Sequence, residues 1–382
     1  MKLLYTHDFN ILVSGSSQMW FTVGLPESYF DRFFSAGFSE VSVISRKTLL
    51  DDDGLPIRGW KQGKNHQLKS SVSCLSSYFS FFKPQVIIAT INEIRRADFI
   101  VVNFPTINGC IVLFLTLLLG KKYSVEVAGD ETMWNTKRGG KIIGFGMRYL
   151  MPLFIKKAVG AAYVTNFLKE KYPNTKQTIV ASNVNLENFY ERSPLLIPLT
   201  SKAEIKIGFV GGLTERKGIY TLLKALLICH DQGFGNIKLQ LIGGHEDANW
   251  REIVVSMGLK ESVEFCGLCT KEEVFSFNKR FDIYVQPSHS EGLPRASIEA
   301  MACGTPVVAS NLPGFRELLH KNDCCAVGDE VQLSKRIIAL ASDHDLYNRT
   351  SKANFSNSKK YDYVRLSQVR SNFYAYLRKN YC

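Results

Sequence analysis

The chain holds 382 residues, 45% of them apolar, and carries a formal net charge of +12. Its length exceeds one ordinary core and predicts two domains of about 150–200 residues each. The apolar content excludes a disordered chain, and nine cysteines in no regular framework fit a reducing cytosol better than a secreted disulfide scaffold.

In chain order, residues 3–5 predict a first strand, followed by a polar loop over 6–18 that contains Gly15 and several serines. The N-terminus, MKLLYTHDF, lacks the long apolar core of a signal peptide. A helix over 25–36 and a strand over 41–44 come next, and 46–70 reads as a charged connection. Ile87, Ile91 and Ile94 fall at helical spacing within 84–97, although 86–88 alone would pass for a strand. Residues 99–102 and 123–128 predict strands. Between them, 107–119 is the most hydrophobic run. It is short of the ~20 residues that span a bilayer, and reads as a helix buried between sheet and neighbours. Gly129, Asp130 and Glu131 follow a strand at its carboxyl end, where open α/β sheets place ligands. The helix 142–158 mixes Lys141, Arg148, Lys156 and Lys157 with Phe145, Tyr149, Leu150 and Phe154. It suits either an anionic membrane face or, the choice preferred for this segment alone, a core position with solvated basic ends. Strands at 161–165 and 179–181 complete the first half, and 193–202, with Pro194 and Pro198, is the expected linker.

The second half restarts with a strand at 205–210 and a helix whose Ile219, Leu222, Leu223, Leu226 and Leu227 share one face. Strands at 237–242, 263–265, 281–286, 307–309 and 325–327 alternate with helices, which implies a parallel sheet in each half. The tail 361–381 reads as an amphipathic helix. Residues 1–200 carry 23 Lys/Arg against 15 Asp/Glu, and 201–382 carry 24 against 20. The basic excess in the first half favours an anionic partner. With no RNP motif, helix-turn-helix or zinc finger, a membrane surface suits it better than nucleic acid.

Two motifs carry chemistry. Residues 285–310, VQPSHSEGLPRASIEAMACGTPVVAS, read as strand end, polar loop, short helix, breaker and strand. Pro294 suits the first helical turn, and Gly304 the C-terminal cap. The N–H groups of Gly292, Leu293 and Arg295 are expected to face the crevice above the strand ends. A helix N-terminus favours a phosphate, yet Glu291 and Glu299 bracket this one. Carboxylates there make sense if they accept hydroxyl hydrogen bonds from a ribose or a hexose; otherwise Glu299 is a solvated helix residue and Glu291 a loop charge. The second motif is 211–218, GGLTERKG. Gly211 and Gly212 permit close backbone approach, and Lys217, beside Arg216, offers a point charge to a phosphate. Cys266 and Cys269 are half a zinc site with no second pair at suitable spacing, so no metal is expected.

Together these residues resemble the retaining glycosyltransferases of family 4, most specifically through 205–330. The resemblance rests on the strand and glycine turn ending Lys217-Gly218, on VEFCG at 263–267, and on Glu291 and Glu299 in the family's E-x7-E spacing followed by AMACGTPV. It implies an α/β protein of GT-B fold, two facing Rossmann-like domains with parallel sheets. Residues 1–195 would bind the acceptor and 196–360 the NDP-sugar donor, while 361–382 would form a helix packing back on the first domain. It further implies that Lys217 binds the donor diphosphate, Glu291 the hydroxyls of the transferred sugar, and Glu299 the ribose. The amides of Gly292 and Leu293 would serve sugar and phosphates, and the backbone from Phe265 to Gly267 would lie beside the base. Two departures stand out: the family's Arg between Gly212 and Leu213 is missing, leaving Arg216 as its candidate replacement, and Asp130 occupies the region of a family histidine near the reacting sugar. The activity implied is same-face sugar transfer to a glycan or lipid-linked acceptor in surface-polysaccharide synthesis. It would need no metal or other cofactor and would take place in the cytoplasm, on or near the inner membrane face. A sugar-nucleotide 2-epimerase of the same fold is the alternative enzyme, against which the E-x7-E match weighs. A non-catalytic sugar-nucleotide-binding protein is the alternative raised by the missing Arg.

Overall fold

The computed structural model describes residues 1–14, 19–22, 29–50, 61–64, 68–74, 83–131, 140–184, 186–244 and 246–382. They form two units, Met1–Asn183 with Val364–Cys382, and Val184–Tyr363. The division precedes the expected boundary at 195 because the intervening segment is tied to the second unit. There the Tyr190 N–H donates to the Ala302 carbonyl at 2.8 Å, and the Arg192 guanidinium donates to the Lys279 carbonyl and the Thr305 hydroxyl.

In the first unit β1 (Lys2–Ser14), β2 (Met19–Thr22), β3 (Glu40–Leu50), β4 (Lys61–Lys64), β5 (Leu68–Cys74), β6 (Phe99–Phe104), β7 (Tyr123–Val127), β8 (Gly160–Tyr163) and β9 (Gln177–Val180) share one sheet. The parallel path is β5-β3-β1-β6-β7-β8-β9, and β2 and β4 add antiparallel pairs beside the far half of β1. β1 therefore continues through most of the expected 6–18 loop. After a register shift beyond Thr6, Asn10–Ser14 pairs with Arg46–Leu50 of β3, and the apolar Ile11, Leu12 and Val13 suit a strand rather than a polar loop. The 46–70 connection likewise contains strand. Helix α1 (Asp31–Ser35) falls in the second half of the expected 25–36 helix; Gly15 and residues 25–28 lie outside the described residues.

The crossover helices α2 (Pro84–Arg96), α3 (Ile107–Leu118), α4 (Gly140–Lys157) and α5 (Asn166–Lys171) follow β5 to β8 in turn. Right-handed crossovers place α2, α3 and α4 on one sheet face. The other face is covered by α1 and by the returning helix, Tyr363–Tyr381, whose Phe373, Tyr374 and Leu377 are buried with Phe30 and Phe33. At the centre of this core Glu126 of β7 is 3% exposed. It accepts from Arg32 at 3.1 Å, Tyr29 at 2.7 Å, Tyr5 at 3.1 Å and Tyr374 at 2.6 Å. Burial alone would raise its pKa, but Arg32 and the tyrosine hydroxyls overcome that and hold the carboxyl below its ordinary value. Contrary to the sequence expectation, α3 and α4 are not core helices throughout: Phe114, Leu118, Ile142, Phe145 and Tyr149 are exposed. Among the described residues no helix is long and apolar enough to cross a membrane.

The second unit carries a six-stranded parallel sheet of β10 (Ile205–Val210), β11 (Ile237–Ile242), β12 (Val263–Gly267), β13 (Ile283–Gln286), β14 (Val307–Ser310) and β15 (Cys324–Cys325), in the order β12-β11-β10-β13-β14-β15. Helices α6 (Ile219–Asp231), α7 (Trp250–Ser256), α8 (Lys271–Arg280), α9 (Arg295–Ala302), α10 (Pro313–Arg316), α11 (Glu330–Ser342) and α12 (His344–Ser358) surround it, and α13 is the Tyr363–Tyr381 helix already met. The apolar stripe of α6 is buried as its spacing predicts, with Ile219, Leu222, Leu223 and Leu226 in the core. α8 begins in a reciprocal capping box between Thr270 and Glu273. The strand order reverses between β10 and β13, and a crevice opens at such a switch point, outside the carboxyl ends of the strands. Both sequence motifs leave the sheet there.

Candidate active site

The loop after β10 makes a short 3-10 turn, Glu215–Lys217, and enters α6 through Gly218. Gly218 has φ +76°, and a Cβ on it would lie 2.0 Å from the Pro287 carbonyl oxygen. Only glycine lets the two loops approach so closely. They are then laced together. The His289 N–H donates to the Arg216 carbonyl at 2.9 Å, and the Arg216 guanidinium donates to the Ser290 carbonyl at 2.9 Å. Lys217 Nζ donates to Glu291 Oε1 at 2.6 Å, with side chains 19% and 8% exposed.

Glu291 Oε1 accepts a second bond, from Ser288 Oγ at 2.7 Å. Behind Ser288 stands a buried chain of donors. Gln286 Nε2 donates to Ser288 Oγ at 3.0 Å, and Tyr284 OH donates to Gln286 Oε1 at 2.6 Å. Strand side chains alternate, so 284, 286 and 288 share a face. An amide nitrogen only donates, so Ser288 must turn its own proton onward to Glu291. Burial pushes the Tyr284 hydroxyl far above its ordinary pKa and the charges of Glu299 and Glu291 push it further, outweighing its bond to the Val210 backbone. It stays a proton donor. The alternating polar face was hidden in what reads, in sequence, as a buried strand; the period-two Tyr284, Gln286 and Ser288 was the signal available.

The backbone donors differ from expectation. The Arg295 N–H is not directed at the crevice but bonds the Leu293 carbonyl at 3.0 Å, because Pro294 occupies the N-cap position and the chain tightens across it. No hydrogen bond from the Gly292 or Leu293 N–H is found among the described residues. In the other loop the N–H groups of Gly211, Leu213, Thr214 and Lys217 all bond carbonyls. That of Glu215 bonds the Asp247 carboxylate, a support the sequence did not indicate. Among the described residues the Gly212 N–H makes no hydrogen bond. Gly314 presses on the Glu291 side of the crevice, where a Cβ would meet the Gly292 carbonyl oxygen at 2.2 Å.

Lys217, Arg216, Glu291, Gly292 and Leu293 thus meet at the switch point, with Gly211 and Gly212 leading into it. Glu299 is half-buried in α9, close enough to bias the Tyr284 hydroxyl. Phe265 and Gly267 end the outer strand β12, Phe265 lying under the Arg251 guanidinium at 4.3 Å and the Gly267 carbonyl accepting from the Gly243 N–H at 2.8 Å. Asp130 belongs to the first unit. It pairs with Lys171 Nζ at 2.7 Å, and that ammonium also reaches Glu131 at 3.0 Å. Among the described residues no group of three or more His, Cys, Asp or Glu is arranged to hold a metal ion.

Two Rossmann-like α/β units with parallel sheets, one with basic and acidic groups joined at its switch point, define a protein of the GT-B fold. Comparison with known proteins agrees. Residues 197–356 match the family profile described as glycosyl transferases group 1. The chain is 28% identical over 345 residues to protein CapJ of Staphylococcus aureus, covering 88% of this chain and 85% of that one. It is 28% identical over 143 residues, 37% of each chain, to the capsular polysaccharide biosynthesis glycosyltransferase CapM of the same organism. The structure superposes on that of Anabaena Alr3699/HepE in complex with UDP-glucose with a TM-score of 0.68 and 15% identity, over 97% of this chain and 98% of the other; at that identity the likeness is one of fold. The domain match and the relatives support a glycosyltransferase, with relatives in capsule synthesis.

Proposed function

We propose that this protein is a retaining, family-4-like glycosyltransferase that moves a sugar from an NDP-sugar to a glycan or polyprenyl-linked acceptor during surface-polysaccharide synthesis. It acts in the cytoplasm, peripherally on the inner membrane face, and without a metal cofactor. The observation that carries this reading is the Lys217–Glu291 pair, which brings a phosphate-type cation and a hydroxyl-accepting carboxylate together at the switch point. A bare phosphate site would exclude the carboxylate, and a sugar site alone would not call for the lysine. A diphosphate sugar uses both.

Chemically, departure of the nucleoside diphosphate breaks the bond from the anomeric carbon to phosphate oxygen and builds negative charge on the leaving group. Lys217 has three N–H donors and spends one on Glu291, so the others are available to phosphate oxygens. Arg216 and the N–H of Gly212 add to the positive field. Glu291 Oε1 is already filled by Lys217 and Ser288, which leaves Oε2 to accept sugar hydroxyls. Glu299 serves the ribose, the backbone from Phe265 to Gly267 the base, and Asp130 in the first unit a hydrogen bond near the reacting sugar. The acceptor oxygen bonds the anomeric carbon on the face the diphosphate leaves, and its proton passes to the departing phosphate.

The test is nucleoside diphosphate release from a panel of NDP-sugars, with and without a membrane lipid extract. Acceptor-dependent release is expected. Sugar epimerisation without release would mean an epimerase, and donor binding with neither reaction would mean a binding protein.

A further inference from the structure

Helices α2, α3 and α4 expose an unusual surface on the first unit. Phe114 and Leu118 of α3 are 57% and 68% exposed, and Ile142 and Phe145 of α4 are 81% and 64% exposed. Phe145 and Tyr149 meet edge to face, with ring centres 5.2 Å apart. Single apolar residues on a surface are ordinary, but large ones gathered on adjoining helices mark an interaction site. α3 and α4 do adjoin, Cys110 Sγ lying 3.4 Å from Met147 Sδ. Between the helices opens a cavity of about 390 Å³, lined by Ile87 of α2, by Cys110, Ile111 and Leu115 of α3, and by Leu150 and Phe154 of α4. The volume is that of a small-molecule site. Ordinary ligand sites place a few polar groups to orient their occupant, and this cavity is lined by apolar side chains and one thiol. Hydrocarbon fits it.

Charge decides what carries the hydrocarbon. Neither residues 99–125 nor α4 contain an Asp or Glu, while Lys141, Arg148, Lys156 and Lys157 stand exposed on α4 among its apolar side chains. Large apolar groups interleaved with cations suit an anionic bilayer surface, the former entering the acyl boundary and the latter staying with the phosphates.

We infer that α2, α3 and α4 form a docking face for an anionic phospholipid bilayer, and that the cavity between them takes one hydrocarbon chain of a bilayer lipid. This deepens the peripheral attachment proposed above, and rests on it, by naming the surface that makes it. The experiment is sedimentation of the full chain with vesicles of phosphatidylcholine alone and of equal parts phosphatidylcholine and phosphatidylglycerol. Binding to the anionic vesicles at low salt, lost at high salt, is expected. Arg148→Gln should lower the partition about fivefold, and Ile142→Ser with Phe145→Ser should abolish it, with an unchanged circular dichroism spectrum. For the cavity, Leu150→Trp adds a fluorophore at its wall. Lipids brominated along the acyl chain should quench it beyond the quenching seen for the four native tryptophans.

Absence of binding at low salt, or equal binding to both vesicle types, overturns the docking face. Undiminished binding of the Ile142→Ser/Phe145→Ser variant overturns its placement on α4. Vesicle binding without extra bromine quenching overturns the cavity's role. Binding of uridine diphosphate by the same protein, measured without vesicles, reports on the second unit, so a failed docking face is told apart from a failed transferase.

Discussion

Lys217 and Glu291, 74 residues apart in sequence, meet at 2.6 Å across the switch point of the second sheet. Each is the other's main electrostatic partner there, so removing either leaves a partly buried charge uncompensated as well as deleting a proposed contact to substrate. Lys217→Ala and Glu291→Ala are each expected to lower kcat for transfer by about 10²–10³-fold while the protein stays folded. Near-native turnover in both variants would remove the site from this pair of loops.

Ser288 touches no substrate in the proposed mechanism; it holds Glu291. Ser288→Ala deletes one hydrogen bond to a charged group, which predicts a fall in kcat of about 10–100-fold with donor KM little changed. Ser288→Thr, which restores a hydroxyl, should recover most of the loss. If the alanine variant turns over normally, or the threonine variant fails to rescue it, the chain from Tyr284 does not position the carboxylate.

Glu299 has a different task, on the ribose. Glu299→Ala should raise donor KM by about tenfold or more and leave kcat nearly intact, which steady-state kinetics on the preferred NDP-sugar will show. An unchanged KM would place the ribose elsewhere.

Glu126 is expected to contribute to the acid sensitivity of the first unit. Its folded-state pKa is lowered, so its contribution is fully present above the unfolded value of about 4.3. That contribution disappears as pH falls through the lower folded value. Glu126→Gln should cost about 3–5 kcal/mol at neutral pH and flatten the stability profile below about pH 4.3. Urea unfolding at a series of pH values measures both effects, and a parallel shift of the whole profile would contradict the second.

Gly218→Ala forces a Cβ against the Pro287 carbonyl oxygen in a left-handed backbone. A loss of about 2–5 kcal/mol in the stability of the second unit is expected from strain and overpacking together, read by thermal unfolding.

The chemistry of the candidate site was legible where it depends on residue type at short spacing. Lys217, Glu291 and Glu299 declare themselves by charge beside glycine turns and a helix start. What sequence could not supply was the partner of each group. The Arg295 N–H looks available on paper, but the turn at Pro294 folds it onto the Leu293 carbonyl. Ser288 and Gln286 look like ordinary polar residues leaving a strand until the strand's alternation lines them up behind Glu291. The second half of β1 was missed for a different reason: the serines and Gly15 that follow it make 6–18 look like one polar loop, although Ile11, Leu12 and Val13 are strand formers and pair with β3. Likewise the hydrophobic run of α3 and the mixed basic and apolar residues of α4 read as helices while leaving open which of their faces the sheet would cover.

The core around Glu126 also has a history. Tyr5, Tyr29, Arg32 and Glu126 are all synthesised before the second unit, but Tyr374 is added after it, 180 residues of Val184–Tyr363 later. At ordinary elongation rates that is a wait of roughly 10–40 s. Throughout it the nascent first unit lacks both the Tyr374 hydroxyl that donates to Glu126 and the helix that covers that sheet face. During that interval a chaperone has a face to bind that the finished protein no longer offers.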